Sequence, residues 1–177
     1  MRKQIVFLTS LLLTFAALAS AQDKSSRPSP PAQAQCKLAD GKSVTIDYSS
    51  PRAKGRKVFG DLVPYGQVWR TGANEATTFV TETNLTIGGK AVPAGNYTIF
   101  TVPNADKWTL IVNKKTGEWG IPYKYESDEL ARVDMKVSAT SSPLENFTID
   151  LKPSGEKCTL AISWEKTQAS VTMAAKK

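Results

Sequence analysis

Apolar and polar residues alternate with a period of two through most of this chain. In 43–48, Val44, Ile46 and Tyr48 alternate with polar neighbours, and 158–164 follows the same pattern. Because successive side chains of a β-strand point to opposite faces, this pattern predicts half-buried strands. The predicted strands are 35–39, 43–48, 77–82, 84–87, 97–102, 108–113, 133–137, 147–151 and 158–164.

Turn sequences separate these segments. Asp40-Gly41, Gly88-Gly89 and Thr116-Gly117 are typical of turns between antiparallel strands. About nine short strands at this spacing predict an all-β fold. We expect an antiparallel β-sandwich, with a jelly-roll-like or barrel-like arrangement as the alternative.

The N-terminus has the composition of an export signal. Arg2 and Lys3 precede a short apolar run that ends at Ala19-Ser20-Ala21, so residues 1–21 are predicted to be a cleaved signal peptide. The run is too short and too often interrupted by hydroxyl side chains for a membrane-spanning helix. The mature protein is therefore expected to lack a transmembrane anchor and to be periplasmic or extracellular.

The rest of the chain divides by composition into three parts. Residues 22–35 are rich in proline and serine and are predicted to form a disordered linker. Residues 36–173 carry the alternation and form the single predicted domain, and 174–177 are a short tail.

Cys36 and Cys158 are the two cysteines, and they lie near the two ends of the predicted domain. In the oxidising compartment that export implies, two lone cysteines most often form a disulfide. A pair of unlinked thiols is the alternative. Neither interpretation makes a cysteine catalytic, because the sequence has no CxxC motif and no histidine.

The absence of histidine, 0 in 177 residues, excludes the Ser-His-Asp and Cys-His nucleophile systems and most catalytic zinc sites. An enzyme of this composition would depend on carboxylate, lysine, tyrosine or backbone groups. No acidic cluster has the spacing of a calcium loop, and we predict neither a metal nor a cofactor.

The chain is basic, with 23 Lys and Arg against 16 Asp and Glu and a formal net charge of +7. No block of basic residues or nucleic-acid recognition motif accompanies this charge, so we expect no nucleic-acid partner. An anionic small molecule or a cell-envelope glycan is the expected partner. Solubility alone is the alternative explanation of the charge.

One stretch, the 49–76 segment, lacks the alternation and is predicted to be a long irregular loop. It contains Arg52, Arg56 and Arg70, whose forked guanidinium donors suit carboxylate or phosphate. Tyr65 and Trp69 add flat apolar faces. Because long irregular stretches in compact domains usually have a use, we predict a ligand-binding loop, with a solvated basic loop as the alternative.

Arg70, Asn74 and Glu75 form the polar part of the 49–76 segment. In a binding site, Glu75 would orient the arginine and Asn74 would contact the ligand. In the alternative interpretation, Arg70 and Glu75 pair only to hold the loop in place. If the protein is an enzyme, Glu75 is the candidate catalytic residue, because a neighbouring arginine would keep it ionised.

A second candidate surface lies at 118–125, where Trp119 and Tyr123 are flanked by glycine and proline. Exposed aromatic side chains of this kind stack on sugars and other flat ligands. The alternative is that Trp119 packs in the core beneath the loop.

Several of these stretches together resemble a known family pattern. They are SPR at 50–52, LVPYG at 62–66, WRTGANEAT at 69–77, VPAG at 92–95 and WG at 119–120. The pattern is similar to that of a family of exported bacterial proteins known as domain of unknown function 2911, over roughly residues 36–165. The resemblance implies export and one compact domain, and it assigns no catalytic residue.

Three functional hypotheses follow. The first is a non-catalytic binding or envelope-associated module for an anionic small molecule or glycan, held by the basic 49–76 segment. The second is a carboxylate-dependent hydrolase or isomerase that uses Glu75 with Arg70. The third is a structural or assembly role without a small ligand. The absence of the usual catalytic motifs favours the first, and the sequence indicates no particular oligomeric state.

Overall fold

The computed structural model describes residues 24–176, so the predicted signal peptide lies outside the described residues. Two short 3₁₀ helices are present, at Lys24–Ser26 and Glu126–Asp128. The strands are β1 (Pro31–Lys37), β2 (Ser43–Ser49), β3 (Thr78–Thr81), β4 (Leu85–Ile87), β5 (Lys90–Val92), β6 (Gly95–Val102), β7 (Lys107–Asn113), β8 (Glu129–Ser154) and β9 (Lys157–Ala175).

The nine strands form one antiparallel sheet in the order β1-β2-β3-β6-β7-β8-β9-β4-β5. The all-β prediction is confirmed. Over residues 24–176 the sheet is not closed into a barrel, and β1 and β5 lie at its two edges. The fold is compatible with the predicted sandwich because the sheet curls around a common core.

Contacts between strands far apart in the sheet order show this curling. The Tyr48 hydroxyl of β2 accepts a hydrogen bond from the Ile149 amide at 3.1 Å, and the Ser50 hydroxyl donates to the Phe147 carbonyl at 2.6 Å. Tyr48 and Phe147 also meet edge to face, with ring centroids 5.6 Å apart. These contacts place β8 against β2 although three strands separate them in the sheet order.

Period-two burial follows the predicted faces. In β2, Val44 and Ile46 are fully buried while Asp47 is exposed. In β8, the buried residues Phe147, Ile149 and Leu151 alternate with half-buried neighbours. The alternation in these strands comes from one face packing into the core. In β9, by contrast, all residues from Leu160 to Trp164 are buried, so both faces of this strand are covered there.

The principal difference from the sequence prediction concerns β8 and β9. The predicted separate strands 133–137 and 147–151 are parts of one strand of 26 residues, and β9 has 19 residues. The register with β9 shifts between Ala139 and Thr148, and Glu165 has φ of 52°. The polar Ser/Thr-rich stretch around 138–143 thus forms an irregularity within a long bent strand, where the sequence suggests a break.

The ordered domain extends beyond the boundaries that composition suggests. Strand β1 begins at Pro31, inside the predicted disordered linker 22–35, and pairs in register with β2 from Pro31 to Lys37. At the other end, β9 continues to Ala175, and the Lys176 amide donates to the Asn84 carbonyl at 2.7 Å. Strand pairing satisfies the backbone of both stretches, which is why their polar composition does not prevent order.

Cys36 of β1 and Cys158 of β9 form a disulfide, as predicted, across a sequence separation of 122 residues. Both cysteines are buried in the main core. The bond joins an edge strand to the β8–β9 hairpin, so it holds the curled sheet together where no hydrogen-bond ladder between β1 and β9 is present in the described chain.

Removing this disulfide should destabilise the fold substantially. Closing a loop of this length restricts the unfolded chain, and loss of such bonds in small domains typically costs about 2–5 kcal/mol. We expect the double variant Cys36→Ala, Cys158→Ala to lose that much free energy of unfolding in urea denaturation. Wild-type protein unfolded in reductant is the matched control and should show a similar loss. An unchanged urea midpoint in both would contradict a stabilising role for the bond.

Candidate functional site

The 49–76 segment is irregular in backbone but firmly attached to the core. Val58, Phe59, Val63 and Trp69 are all buried. The Trp69 amide donates to the Thr101 carbonyl at 2.7 Å, and the Thr101 amide donates back to the Trp69 carbonyl at 2.9 Å. The segment therefore covers one end of the core and is joined to β6 by a two-bond bridge.

Trp69 lies in a cluster of aromatic side chains and is not exposed for ligand stacking. Its ring stacks on Trp164 with centroids 6.1 Å apart and planes 17° from parallel, and Phe147 packs edge-on at 5.1 Å. The indole Nε1 donates to the Gly72 carbonyl at 3.1 Å. Trp69 is only 7% exposed, so most of its surface is committed to packing.

Arg52 and Arg56 are used largely to hold the loop backbone. Arg52 donates through Nη1 to the Ser50 carbonyl at 2.7 Å. Arg56 donates through Nε to the Ala53 carbonyl at 2.8 Å and through Nη2 to the Arg52 carbonyl at 2.7 Å. Guanidinium donors thus satisfy carbonyls that have no strand partner. The structure brings Arg56, but not Arg52, to the cavity described next.

An open cavity of about 420 Å³ lies beside the 49–76 segment, and we call it the Arg70 groove. Trp69 and Trp164 lie at its buried side, and Leu62 and Ile121 are the large exposed apolar residues of its wall, at 41% and 45% exposure. Arg56 and Arg70 are its charged lining residues, and no carboxylate lines it among residues 24–176. The groove combines apolar walls with two cations.

The guanidinium group of Arg70 lies over the ring of Trp119. Its guanidinium carbon is 5.0 Å from the centroid of the Trp119 ring, and Nη1 makes a long hydrogen bond of 3.4 Å to the Trp119 carbonyl. Partial burial lowers the pKa of Arg70, and the charge of Glu75 opposes this. Within the described range, the Arg70 side chain makes no other hydrogen bond and no ion pair at salt-bridge distance. The other guanidinium donors therefore have no acceptor among residues 24–176.

Gly120 permits this arrangement. It has φ of 90°, and a Cβ at this position would lie 2.8 Å from the Ala76 Cβ and 3.2 Å from the Arg70 Cβ. The Ala76 amide also donates to the Glu118 carbonyl at 3.1 Å. The stretch around Trp119 can therefore lie directly against the 49–76 segment because glycine has no side chain.

Glu75 and Asn74 contact the N-terminal residues and not Arg70. Both Glu75 carboxylate oxygens accept from Arg27, at 3.0 and 2.9 Å, and Lys24 lies 3.5 Å away. The Asn74 amide donates to the Ser29 carbonyl at 3.0 Å. The expected cluster of Arg70, Asn74 and Glu75 is thus divided.

The contacts of Glu75 favour its ionised form. Its own backbone N–H and the Arg27 guanidinium lower the pKa of the carboxyl group. Glu75 lines a separate depression of about 160 Å³ together with Tyr48 and Thr78, and it does not line the Arg70 groove.

The other predicted aromatic residues occupy different environments. Tyr65 is 44% exposed and Trp119 is 56% exposed, so Trp119 does not pack beneath the loop. Tyr123 is half-buried against Phe100, with centroids 4.8 Å apart, and its hydroxyl donates to Glu129 at 2.6 Å. Burial, followed by this hydrogen bond, raises the pKa of Tyr123. Of the predicted aromatic surface, Trp119 is available to a ligand and Tyr123 is largely structural.

Sequence reasoning missed several groove residues. Leu62, Gln67 and Ile121 line it, and Ser29 comes from the predicted linker. The sequence contained some indication that Leu62 and Ile121 could be exposed. Ile121 precedes a proline, and Leu62 lies in a stretch rich in glycine and proline. Nothing in the sequence indicated Ser29.

The described residues form neither a metal site nor a membrane-spanning helix. Residues 24–176 contain no group of three or more histidine, cysteine, aspartate or glutamate side chains arranged to hold a metal ion. Over the same range, no helix has the length and apolar character needed to cross a membrane.

The ion pair between Glu75 and Arg27 gives a pH-dependent prediction. A carboxyl whose pKa is lowered on folding stabilises the native state above its unfolded pKa, about 4.3, and this contribution is lost as the pH falls through the folded value. The melting temperature of wild-type protein should exceed that of Glu75→Gln near neutral pH, and the difference should shrink on acidification.

The matched control for this prediction is the same substitution in an Arg27→Gln background, where the hydrogen-bond partner of Glu75 is already absent. There Glu75→Gln should lower the melting temperature by less, and its effect should depend less on pH. An effect of Glu75→Gln that is equal in the two backgrounds would mean that the Arg27 contact does not stabilise the fold.

Comparison with known proteins identifies the family. The model of a protein family described as "Protein of unknown function (DUF2911)" matches residues 29–173. Neither a search of curated proteins nor a search of solved structures returned a match. The matched range begins at Ser29, two residues before β1, and includes β1 to β8, all but the last two residues of β9, and the residues that line the Arg70 groove. The chain belongs to the DUF2911 family.

Proposed function

We propose that this protein is an exported, non-catalytic module that binds an anionic ligand in the Arg70 groove. The observation that carries the proposal is the composition of the groove wall. Two arginines are its charged residues within the described chain, and the remaining lining is mainly apolar. An anion entering the groove would meet cations without competing carboxylates.

Arg70 is the residue best placed to contact this anion. Trp119 supports one face of its guanidinium, and the one hydrogen bond that this side chain makes within the described chain, at 3.4 Å, is long. A planar guanidinium with unused donors suits a two-oxygen anion such as a carboxylate. Partial removal of Arg70 from water strengthens its attraction for such a group. Arg56 would contribute mainly charge, because two of its nitrogens already donate to loop carbonyls.

Export is supported by the disulfide between Cys36 and Cys158, because such bonds persist in oxidising compartments. The signal-like sequence of residues 1–21 supports it independently. We place the mature protein in the periplasm or outside the cell.

The hydrolase or isomerase hypothesis has less support. Glu75 is paired with Arg27 and Lys24 and lines a different depression from Arg70. A carboxylate held ionised by two cations is a poor proton donor, and it has no arginine-lined cavity beside it in which to act as a base.

An assembly role remains the second candidate because large apolar side chains are exposed on this part of the surface. Leu62, Tyr65, Trp119 and Ile121 are each more than 40% exposed. Leu62 and Ile121 line the same groove, and Trp119 lies over Arg70 beside it. Exposed apolar patches are typical of contact surfaces. A binding experiment separates the two functions, because a contact surface without a ligand site would not bind small anions through Arg70.

The proposal predicts a thermal shift that depends on Arg70. In a panel of sugar acids and monocarboxylates at constant ionic strength, a ligand at 100 times its Kd stabilises the native state by about 2.7 kcal/mol, or roughly 5–10 °C for a domain of this size. At least one compound should raise the melting temperature of the wild type. Arg70→Gln should abolish that shift.

The matched control is Arg132→Gln, which removes an equal charge from a half-exposed arginine paired with Glu129. It should retain the full ligand-induced shift. If no compound stabilises the wild type, or if the shift survives in Arg70→Gln, ligand binding in the Arg70 groove is wrong and the assembly role becomes the better explanation.

A further inference from the structure

Hydrogen-bonding capacity distinguishes the two ligand classes that a basic groove suggests, an acidic sugar and an apolar acid. A sugar acid carries several hydroxyl groups, and each must find a donor or acceptor when it leaves water. An apolar acid carries one polar group, its carboxylate. The wall of the Arg70 groove can therefore be compared with each requirement.

Side chains of the groove offer few partners for hydroxyl groups. Arg56 and Arg70 donate and cannot accept. Among the lining side chains, Gln67 and Ser29 are the uncharged hydrogen-bonding groups besides the Trp69 and Trp164 indoles, and both indole nitrogens already donate to carbonyls, at 3.1 Å each.

Three backbone carbonyls in the wall are also occupied. The Gly72 carbonyl accepts from the Trp69 indole, the Trp69 carbonyl accepts from Thr101, and the Arg70 carbonyl accepts from Thr77 at 3.4 Å. Hydroxyl groups of a bound sugar would lose their water partners at this wall and meet few side-chain acceptors in return.

The apolar part of the groove matches the second class. Leu62, Val63 and Ile121 form walls next to the Trp69 and Trp164 rings, and Leu62 and Ile121 are more than 40% exposed without a ligand. Covering such side chains with an apolar body removes them from water. The volume, about 420 Å³, lies within the range of pockets for small organic molecules.

We propose that the Arg70 groove selects an amphipathic monocarboxylate, with an acyl chain or aromatic ring as its body, over a sugar acid. The carboxylate lies against the free donors of Arg70, and the apolar body lies along Leu62 and Ile121, with the buried Trp69–Trp164 pair beneath it. This inference rests on the proposed function, because it names the class of anion that the same groove binds.

Isothermal titration of the purified protein at constant ionic strength tests the proposal with octanoate, 1-naphthoate and glucuronate. Octanamide serves as the uncharged counterpart of octanoate. We expect octanoate or 1-naphthoate to bind at least tenfold more tightly than both glucuronate and octanamide. The preference between octanoate and 1-naphthoate distinguishes an acyl chain from an aromatic ring as the natural body.

Variants test whether Arg70 binds the carboxylate and whether the apolar wall binds the body of the ligand. Arg70→Gln should weaken carboxylate binding at least tenfold, and Arg70→Lys, which keeps the charge but loses the fork, should recover part of it. Ile121→Ser, at an exposed wall position, should weaken octanoate without affecting any residual glucuronate binding. Arg132→Gln should leave every affinity unchanged, and circular dichroism should confirm that each variant is folded.

Two results would overturn the inference in different ways. If glucuronate binds as tightly as octanoate and depends on Arg70, the groove is a sugar-acid site, so the inference fails while the proposed function stands. If none of the three anions binds, or if binding is unaffected by Arg70→Gln, both the inference and the proposed function fail.

Discussion

Packing of Trp69 against Trp164 is the interaction on which the candidate site depends. The 49–76 segment contains no strand beyond Ser49 and pairs with the sheet only at two isolated bridges, Arg52 with Asn146 of β8 and Trp69 with Thr101 of β6. Between these bridges it needs a fixed point in the core. Trp69 supplies that point through ring contacts with Trp164 and Phe147 and through paired hydrogen bonds with Thr101. These contacts hold the Trp69 indole in place, and the wall of the Arg70 groove is held in place with it.

Once the segment is anchored, its arginines divide into two roles. Arg52 and Arg56 donate to nearby carbonyls and replace the hydrogen bonds that strands would provide. Arg70 follows the buried Trp69 directly and so emerges at the cavity, where Gly120 allows Trp119 to approach it. Arginines that look equivalent in the sequence thus differ in how many of their guanidinium donors remain free for a ligand.

The sequence predicted the sheet well because a period of two reports directly on which face of a strand is buried. Val44 and Ile46 illustrate this, and so does Cys158, whose inward phase agreed with its disulfide. Composition was a weaker guide at Pro31, because strand pairing orders a polar, proline-containing stretch when a partner such as β2 is available.

Site residues were harder to predict because their partners are distant in the sequence. Glu75 has a cation five positions away in Arg70, yet it pairs with Arg27, 48 positions away, because the N-terminal stretch passes beside it. Trp69 looked like a ligand platform, since nothing local distinguishes a buried tryptophan in a loop from an exposed one. For Trp119 the sequence left an exposed surface and core packing open, and only the fold shows that the ring is exposed.

Native-state hydrogen exchange at the Trp69 and Thr101 amides tests most directly whether the 49–76 segment is fixed by the core. If Trp69 anchors the segment, both amides should exchange only when the whole sheet opens, with the same opening free energy as amides of β6 and β7. Exchange of the Trp69 amide orders of magnitude faster than that of the sheet would contradict this account, because the groove would then belong to a loop that opens independently.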